Sequence, residues 1–135
     1  MAGVRVGMAF ADAEIIELFN RVKPPYNISR PAQEAIIRAM SDVGFVQTTI
    51  ERTALERNRL ANELAELPSV IQVFPSDANF LLVRFEEHTK VYQHLVSDGI
   101  IVRDRSSLSG CERCLRITVG TPAENERLLR ALKQL

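Results

Sequence analysis

The sequence predicts an α+β chain, with an α/β arrangement around a small mixed sheet as the open alternative. Three observations predict it. The back half alternates period-two apolar runs with helical patterns in the order β-β-α-β-β-α. The front half holds one apolar run and two or three helical patterns. Between them runs a long helical stretch over residues 45–67. With 135 residues the chain is long enough for one real core.

Each element has its own local reason. Residues 4–11 (VRVGMAFA) mix small and apolar side chains and read as a buried strand. Asp12 offers an N-cap, and Ile15, Phe19 and Val22 recur at helical spacing, so residues 13–22 form a short amphipathic helix. Pro24 and Pro25 stop it. Ser29 or Arg30 starts the next helix, with Pro31 in its first turn and Ala32, Ala35, Ile36, Ala39 and Met40 on its apolar face. Gly44 either ends that helix or lets the pattern run on after a turn. Residues 45–67 intersperse Glu51, Arg52, Glu56, Arg57, Arg59 and Glu63, which suits a helix with much solvent contact. Such a helix spans about 35 Å, long for a small domain and suited to joining two bodies. Pro68 ends it.

The period then changes. Residues 70–74 (VIQVF) and 79–85 (NFLLVRF) are strands around the turn signal Pro75-Ser76-Asp77. Glu86 and Glu87 lead into a helix over residues 90–97, and Gly99 is its C′ residue. Residues 100–103 (IIVR) and 115–119 (LRITV) are strands, with a polar loop between them. Thr121-Pro122-Ala123-Glu124 is a capping box with proline at N1, so residues 122–135 form the last helix. The opening strand has no partner near it in sequence. It either joins the later strands or belongs to a sheet on other polypeptide.

Composition excludes several classes. Seventeen basic and 17 acidic residues leave no net charge to attract nucleic acid or anionic membrane. No apolar run is long enough to span a bilayer, and the N-terminus lacks the order of a signal peptide, so a cytoplasmic location is the default expectation. Fourteen of the basic residues are Arg and three are Lys (Lys23, Lys90, Lys133), a weak hint of carboxylate or phosphate recognition.

Among possible sites, Cys111 and Cys114 have C-x-x-C spacing. Zinc needs four ligands, and His88 and His94 lie far off in sequence. Cys114 leads into a strand, not into a helix N-terminus that would lower a thiol pKa, so the two read as ordinary thiols. His94 has no serine, cysteine or orienting acid beside it and reads as a surface histidine. The arginines are better candidates. Arg5 lies between glycines in an apolar stretch, where a charge needs a partner. Arg116 lies inside an apolar strand, and alternation puts it with Thr118 on the face opposite Leu115, Ile117 and Val119. From pattern alone it points to solvent. Arg103 ends the preceding strand beside Asp104, which could neutralise it.

The ordered set of segments resembles one family. Ala2-Gly3-Val4-Arg5-Val6-Gly7 is similar to the A-G-x-R-x-G segment of fold-type-I pyridoxal-phosphate aminotransferases. Lys23-Pro24-Pro25-Tyr26-Asn27-Ile28-Ser29 with Pro31-Ala32-Gln33, Ser76-Asp77-Ala78-Asn79-Phe80, Gly99-Ile100-Ile101-Val102-Arg103-Asp104 and Leu115-Arg116-Ile117-Thr118-Val119-Gly120-Thr121 resemble segments of histidinol-phosphate aminotransferases. The resemblance implies a mixed or antiparallel sheet with helices on one face and a long interdomain helix. It implies residues 1–42 as the tail of the large cofactor domain, 43–67 as the linking helix and 68–135 as the small C-terminal domain. It implies a homodimer that uses pyridoxal 5′-phosphate to move an amino group between L-histidinol phosphate and 2-oxoglutarate in histidine biosynthesis. Arg5 would contact the cofactor phosphate. Arg116, with Arg103 as a second arginine, would hold the substrate's carboxylate or phosphate. The lysine that carries the cofactor in that family falls before the matching segment, and none of Lys23, Lys90 or Lys133 replaces it. The chain alone is therefore expected to be inactive: an expressed fragment, a truncated reading frame or part of a larger enzyme. An aromatic aminotransferase, a threonine-phosphate decarboxylase-like enzyme and a non-enzymatic α+β module are the alternatives.

Overall fold

The computed structural model describes residues 4–41 and 43–135. It divides into two compact units, Met1–Thr48 and Thr49–Leu135.

In the first unit, helix α1 (Ala13–Val22) and helix α2 (Arg30–Met40) form where the apolar spacing places them. Asp12 occupies the N-cap of α1 without a side-chain cap hydrogen bond. Pro31 sits in the first turn of α2. Neither helix has a fully buried residue. The strand expected over residues 4–11 does not form: Val4 lies in a single tight turn and residues 5–12 have no regular structure. A strand exists only by hydrogen bonding to a neighbour, and no described residue of this unit supplies one. Arg5 also takes a φ of 58°, which breaks the pleat. Val4, Val6 and Met8 instead line an apolar cavity of about 320 Å³ with Ile36, Met40, Val43 and Val46.

Helix α3 (Val43–Ala65) begins two residues earlier than its charge pattern suggests, and Gly44 is helical. The boundary between the units falls within it, at Thr48 and Thr49. Its C-terminal part contributes Leu60 and Leu64, both fully buried, to the core of the second unit.

That core is built on one four-stranded antiparallel sheet in the order β1-β2-β4-β3. The strands are β1 (Val70–Val73), β2 (Phe80–Phe85), β3 (Arg103–Asp104) and β4 (Cys114–Thr118). Between β1 and β2 the Ser76 hydroxyl accepts from the Ala78 N–H at 3.1 Å and donates to the Phe80 carbonyl at 2.7 Å, so one side chain shapes the turn. Along β2, Leu81, Val83 and Phe85 point inward, and along β4 Leu115 and Ile117 do the same. They meet Val91 and Leu95 of α4 (His88–Ser97) and Leu128, Leu129 and Leu132 of α5 (Pro122–Leu132). All three helices thus cover one face of the sheet. Fully burying a Leu or Phe contributes about 1.5–3 kcal/mol each, which makes this layer the main source of stability.

Helix ends behave as the sequence dictates. Gly99 (φ 69°) follows α4, and the Ile100 N–H donates to the Leu95 carbonyl at 2.8 Å while Gly99 N–H donates to Val96. That double bond pattern is a Schellman stop. It also shortens the next strand: the expected run 100–103 reduces to Arg103–Asp104, because Ile100 is spent on closing α4. The Thr121–Glu124 capping box closes α5 reciprocally. Its helix stops at Leu132, short of the expected residue 135.

Candidate functional site

The face of the sheet turned away from the helices carries the charged candidates. Pairing in register places Arg116 of β4 between Leu82 of β2 and Arg103 of β3. Directly paired residues project from the same face. Strand alternation, which puts Leu115 and Ile117 inside, therefore puts Arg116 and Arg103 together outside. Two like charges opposite one another are destabilising unless an anion or a carboxylate lies between them. Among the described residues, no carboxylate pairs with either.

Arg116 is half-buried. Its guanidinium carbon lies 5.2 Å from the centroid of the Phe80 ring, a cation–π arrangement. Its Nε is buried without a hydrogen-bond partner. A buried unsatisfied donor costs about 1–3 kcal/mol, so the orphaned Nε marks a position where a ligand or another chain would be stabilising. Arg103 is exposed. The neighbouring Asp104 does not neutralise it: Asp104 Oδ1 accepts from the Ser106 N–H at 2.8 Å. Hydrogen bonds from the Ser106 side chain and then its backbone hold that carboxyl below its usual range.

A third arginine shares the open face and is committed elsewhere. Arg84 lies over the Phe74 ring at 5.2 Å. Its Nε donates to the Glu112 carbonyl and its Nη2 to the Gly110 carbonyl, both at 3.0 Å. It ties the β3–β4 loop to β2 and has little capacity left for a ligand.

The far end of β4 is fixed by Asn125, the one buried polar residue among those described. Its carboxamide accepts from the Gly120 N–H at 3.0 Å, and donates to the Gly120 carbonyl at 3.1 Å and to Glu56 Oε2 at 2.9 Å. A Cβ at Gly120 would come within 2.9 Å of the Glu124 carboxylate and 3.0 Å of its Cβ, so a larger residue there would displace that side chain. Glu56 also receives Arg59, which reaches Glu63 at 2.7 Å and Glu126 at 2.9 Å. The Arg59 hydrogen bond, then that of Asn125, lowers the Glu56 carboxyl pKa. This network clamps α3 to the loop that follows Arg116.

Arg5 lies in the first unit, exposed, with a φ of 58° and no carboxylate partner among the described residues. Ala2 and Gly3 of its motif lie outside the described residues. His94, read as a surface histidine, is in fact partly buried, with Nε2 at 3.0 Å from the Ala131 carbonyl, so it fastens α4 to α5. Phe74 and Asn125 were not singled out from sequence, and Phe80 entered only as the end of the segment Ser76-Asp77-Ala78-Asn79-Phe80. For Phe80 a signal existed: alternation along β2 puts Phe80, Leu82 and Arg84 on the open face.

Residues 1–132 match the family model for aminotransferase class I and II. A histidinol-phosphate aminotransferase of Parabacteroides distasonis is 46% identical over 134 residues, 99% of this chain and 39% of that protein. A solved decarboxylase of Sulfurospirillum multivorans is 30% identical over 98% of this chain and 39% of its own, with a TM-score of 0.80. The histidinol-phosphate aminotransferase of Sinorhizobium meliloti, solved in complex with pyridoxal-5′-phosphate, is 25% identical over 87% of this chain and 33% of its own, with a TM-score of 0.75. The chain thus spans about two-fifths of the length of the curated relatives it matches.

Proposed function

The chain belongs to the class I and II aminotransferase family, and from that membership we propose that it forms part of a pyridoxal-phosphate enzyme exchanging an amino group between L-histidinol phosphate and 2-oxoglutarate. In this reading residues 1–42 are the tail of the cofactor domain, 43–67 the linking helix and 68–135 the small domain of a homodimeric, cytoplasmic enzyme of histidine biosynthesis. The carrying observation is the pair Arg103 and Arg116: cross-strand partners on an open face, without carboxylates, one with a buried orphaned donor.

Guanidinium forks grip phosphate and carboxylate alike, so one pair serves both half-reactions. Arg116, steadied on Phe80, holds the anionic end of the substrate. Arg103, more exposed, adds a second contact to phosphate. Together they fix the direction in which the substrate enters, which is how positioning lowers a barrier.

The residues present fit the cofactor in part. Arg5 is exposed and unpaired among the described residues, the chemistry a phosphate contact needs. The three lysines, Lys23, Lys90 and Lys133, are exposed at the end of α1, on α4 and at the end of α5, and none lies on the sheet face that carries Arg103 and Arg116. When bound, pyridoxal phosphate supplies the electron sink for amino-group chemistry. This chain's part is to bind and orient. The exposed apolar side chains of the first unit, Met8, Phe10, Phe19 and Met40 among them, suit a surface covered by the cofactor domain.

The test is kinetic, on the enzyme that contains the chain. Arg116→Ala raises KM for both histidinol phosphate and 2-oxoglutarate, by about ten- to hundredfold from the loss of a charge-assisted contact. Arg5→Ala weakens cofactor retention. Unchanged constants in both variants refute the assignment. The likeness to a decarboxylase supports a second reading, in which the same arginines hold an amino-acid phosphate; release of carbon dioxide without amino transfer would select it.

A further inference from the structure

Cys111 and Cys114 are both free, and C-x-x-C spacing alone leaves them as ordinary thiols. The fold adds three observations. The Cys114 N–H donates to the Cys111 carbonyl at 3.0 Å, so the four residues 111–114 close one tight turn. Such a turn brings its end Cα atoms within about 7 Å, inside the range from which a disulfide forms with little backbone movement. The Cys114 thiol is aimed back at that turn, with Sγ 3.5 Å from the Glu112 carbonyl. The turn is also held from outside. Arg84 binds the Gly110 and Glu112 carbonyls, and the Phe85 N–H donates to the Arg113 carbonyl at 3.0 Å. Arg113, the third residue of that turn, sits at a φ of 60°, the left-handed conformation that type II turns have at that position.

We propose that Cys111 and Cys114 are a reversible dithiol–disulfide site whose partner is a two-electron thiol oxidant of the peroxide class. Burial assigns the roles. Cys111 is partly accessible and meets the oxidant, while Cys114 is fully buried and resolves. The Cys111 sulfur attacks the O–O bond of hydrogen peroxide; that bond breaks, one water leaves, and Cys111 becomes a sulfenic acid. The Cys114 sulfur then attacks the Cys111 sulfur. The S–S bond forms, the S–O bond breaks, and the hydroxyl leaves with the Cys114 proton as a second water. Two electrons pass from the thiol pair to the peroxide. A small dithiol reverses the step by exchange. The site is independent of the aminotransferase reading.

The test is to treat the full native chain with hydrogen peroxide, then denature it, alkylate free thiols and measure its mass. The expected product has lost two hydrogen atoms and takes up no alkyl group. Trypsin cleaves after Arg113, so peptides 106–113 and 114–116 stay joined until reduced. Ring closure is at least about tenfold faster in the native chain than in urea, because the turn holds the two residues close together. Cys111→Ser abolishes the fast reaction, and Cys114→Ser leaves a sulfenic acid trappable by dimedone at Cys111. Oxidation of Cys111 to the sulfinic state with Cys114 still alkylatable overturns the proposal. So do disulfides that only join two chains, or closure no faster in the native chain than in urea.

Discussion

Residues 49–135 and residues 4–48 are built from similar apolar content and treat it differently. The second unit hides Phe85, Leu115, Ile117 and Leu129 almost completely under three helices. In the first, α1 and α2 bury no residue fully, although Ile15, Phe19 and Val22 form a proper amphipathic stripe. The difference teaches that amphipathicity makes a helix but does not supply the surface that covers it. A sheet with one apolar face supplies it in the second unit. The first has no sheet of its own among the described residues, and Phe10 remains 89% exposed.

Substitutions can break or sharpen this contrast. Phe85→Ala is expected to cost about 3–5 kcal/mol in denaturant unfolding, because it empties the centre of the covered layer. If it costs no more than a surface change, the second unit is not the stable one. Asn125→Ala is expected to cost about 1–3 kcal/mol by leaving the Gly120 backbone groups and Glu56 without their partner. Gly99→Ala forces a Cβ into a φ of 69° and is expected to cost about 1–2 kcal/mol, again by chemical unfolding. Phe19→Ala, in the uncovered stripe, is expected to stay within about 0.5 kcal/mol in the chain alone. A large loss there would mean that the first unit buries Phe19 in solution.

Acid should act on the second unit through Glu56. Its carboxyl pKa is lowered in the folded state by Arg59 and Asn125. A depressed folded pKa stabilises fully above the unfolded Glu value, and the contribution is lost as pH falls through the folded value. Stability measured from neutral pH into the acid range should therefore drop less steeply in Glu56→Gln than in the parent. Equal slopes would remove Glu56 from the clamp.

Much of the second unit was legible because its signals are local. The Thr121–Glu124 capping box, the Gly99 stop and the alternation in β2 and β4 each lie within a few residues of the structure they specify. The arginine pair was legible only as separate candidates. Alternation gave Arg116 a face, but solvent was the natural reading of that face. Register with β3 placed Arg103 beside it, and Phe80 came under its guanidinium from a strand over thirty residues away. The strand expected at residues 4–11 failed for the complementary reason: its composition is strand-like, while a strand is completed by a neighbour's hydrogen bonds.

By itself the sequence determined the helices, the Gly99 stop and the Thr121 cap, the period of the strands and, through ordered motif segments, the family. Periodicity and capping act over one or two turns and are written into adjacent residues. Tertiary structure alone decided which charges meet and which go unpaired, that His94 and Asn125 are fasteners, and that the two thiols share a tight turn. Those facts depend on strand register and on which surface covers which, and both are set by contacts between residues far apart in the chain.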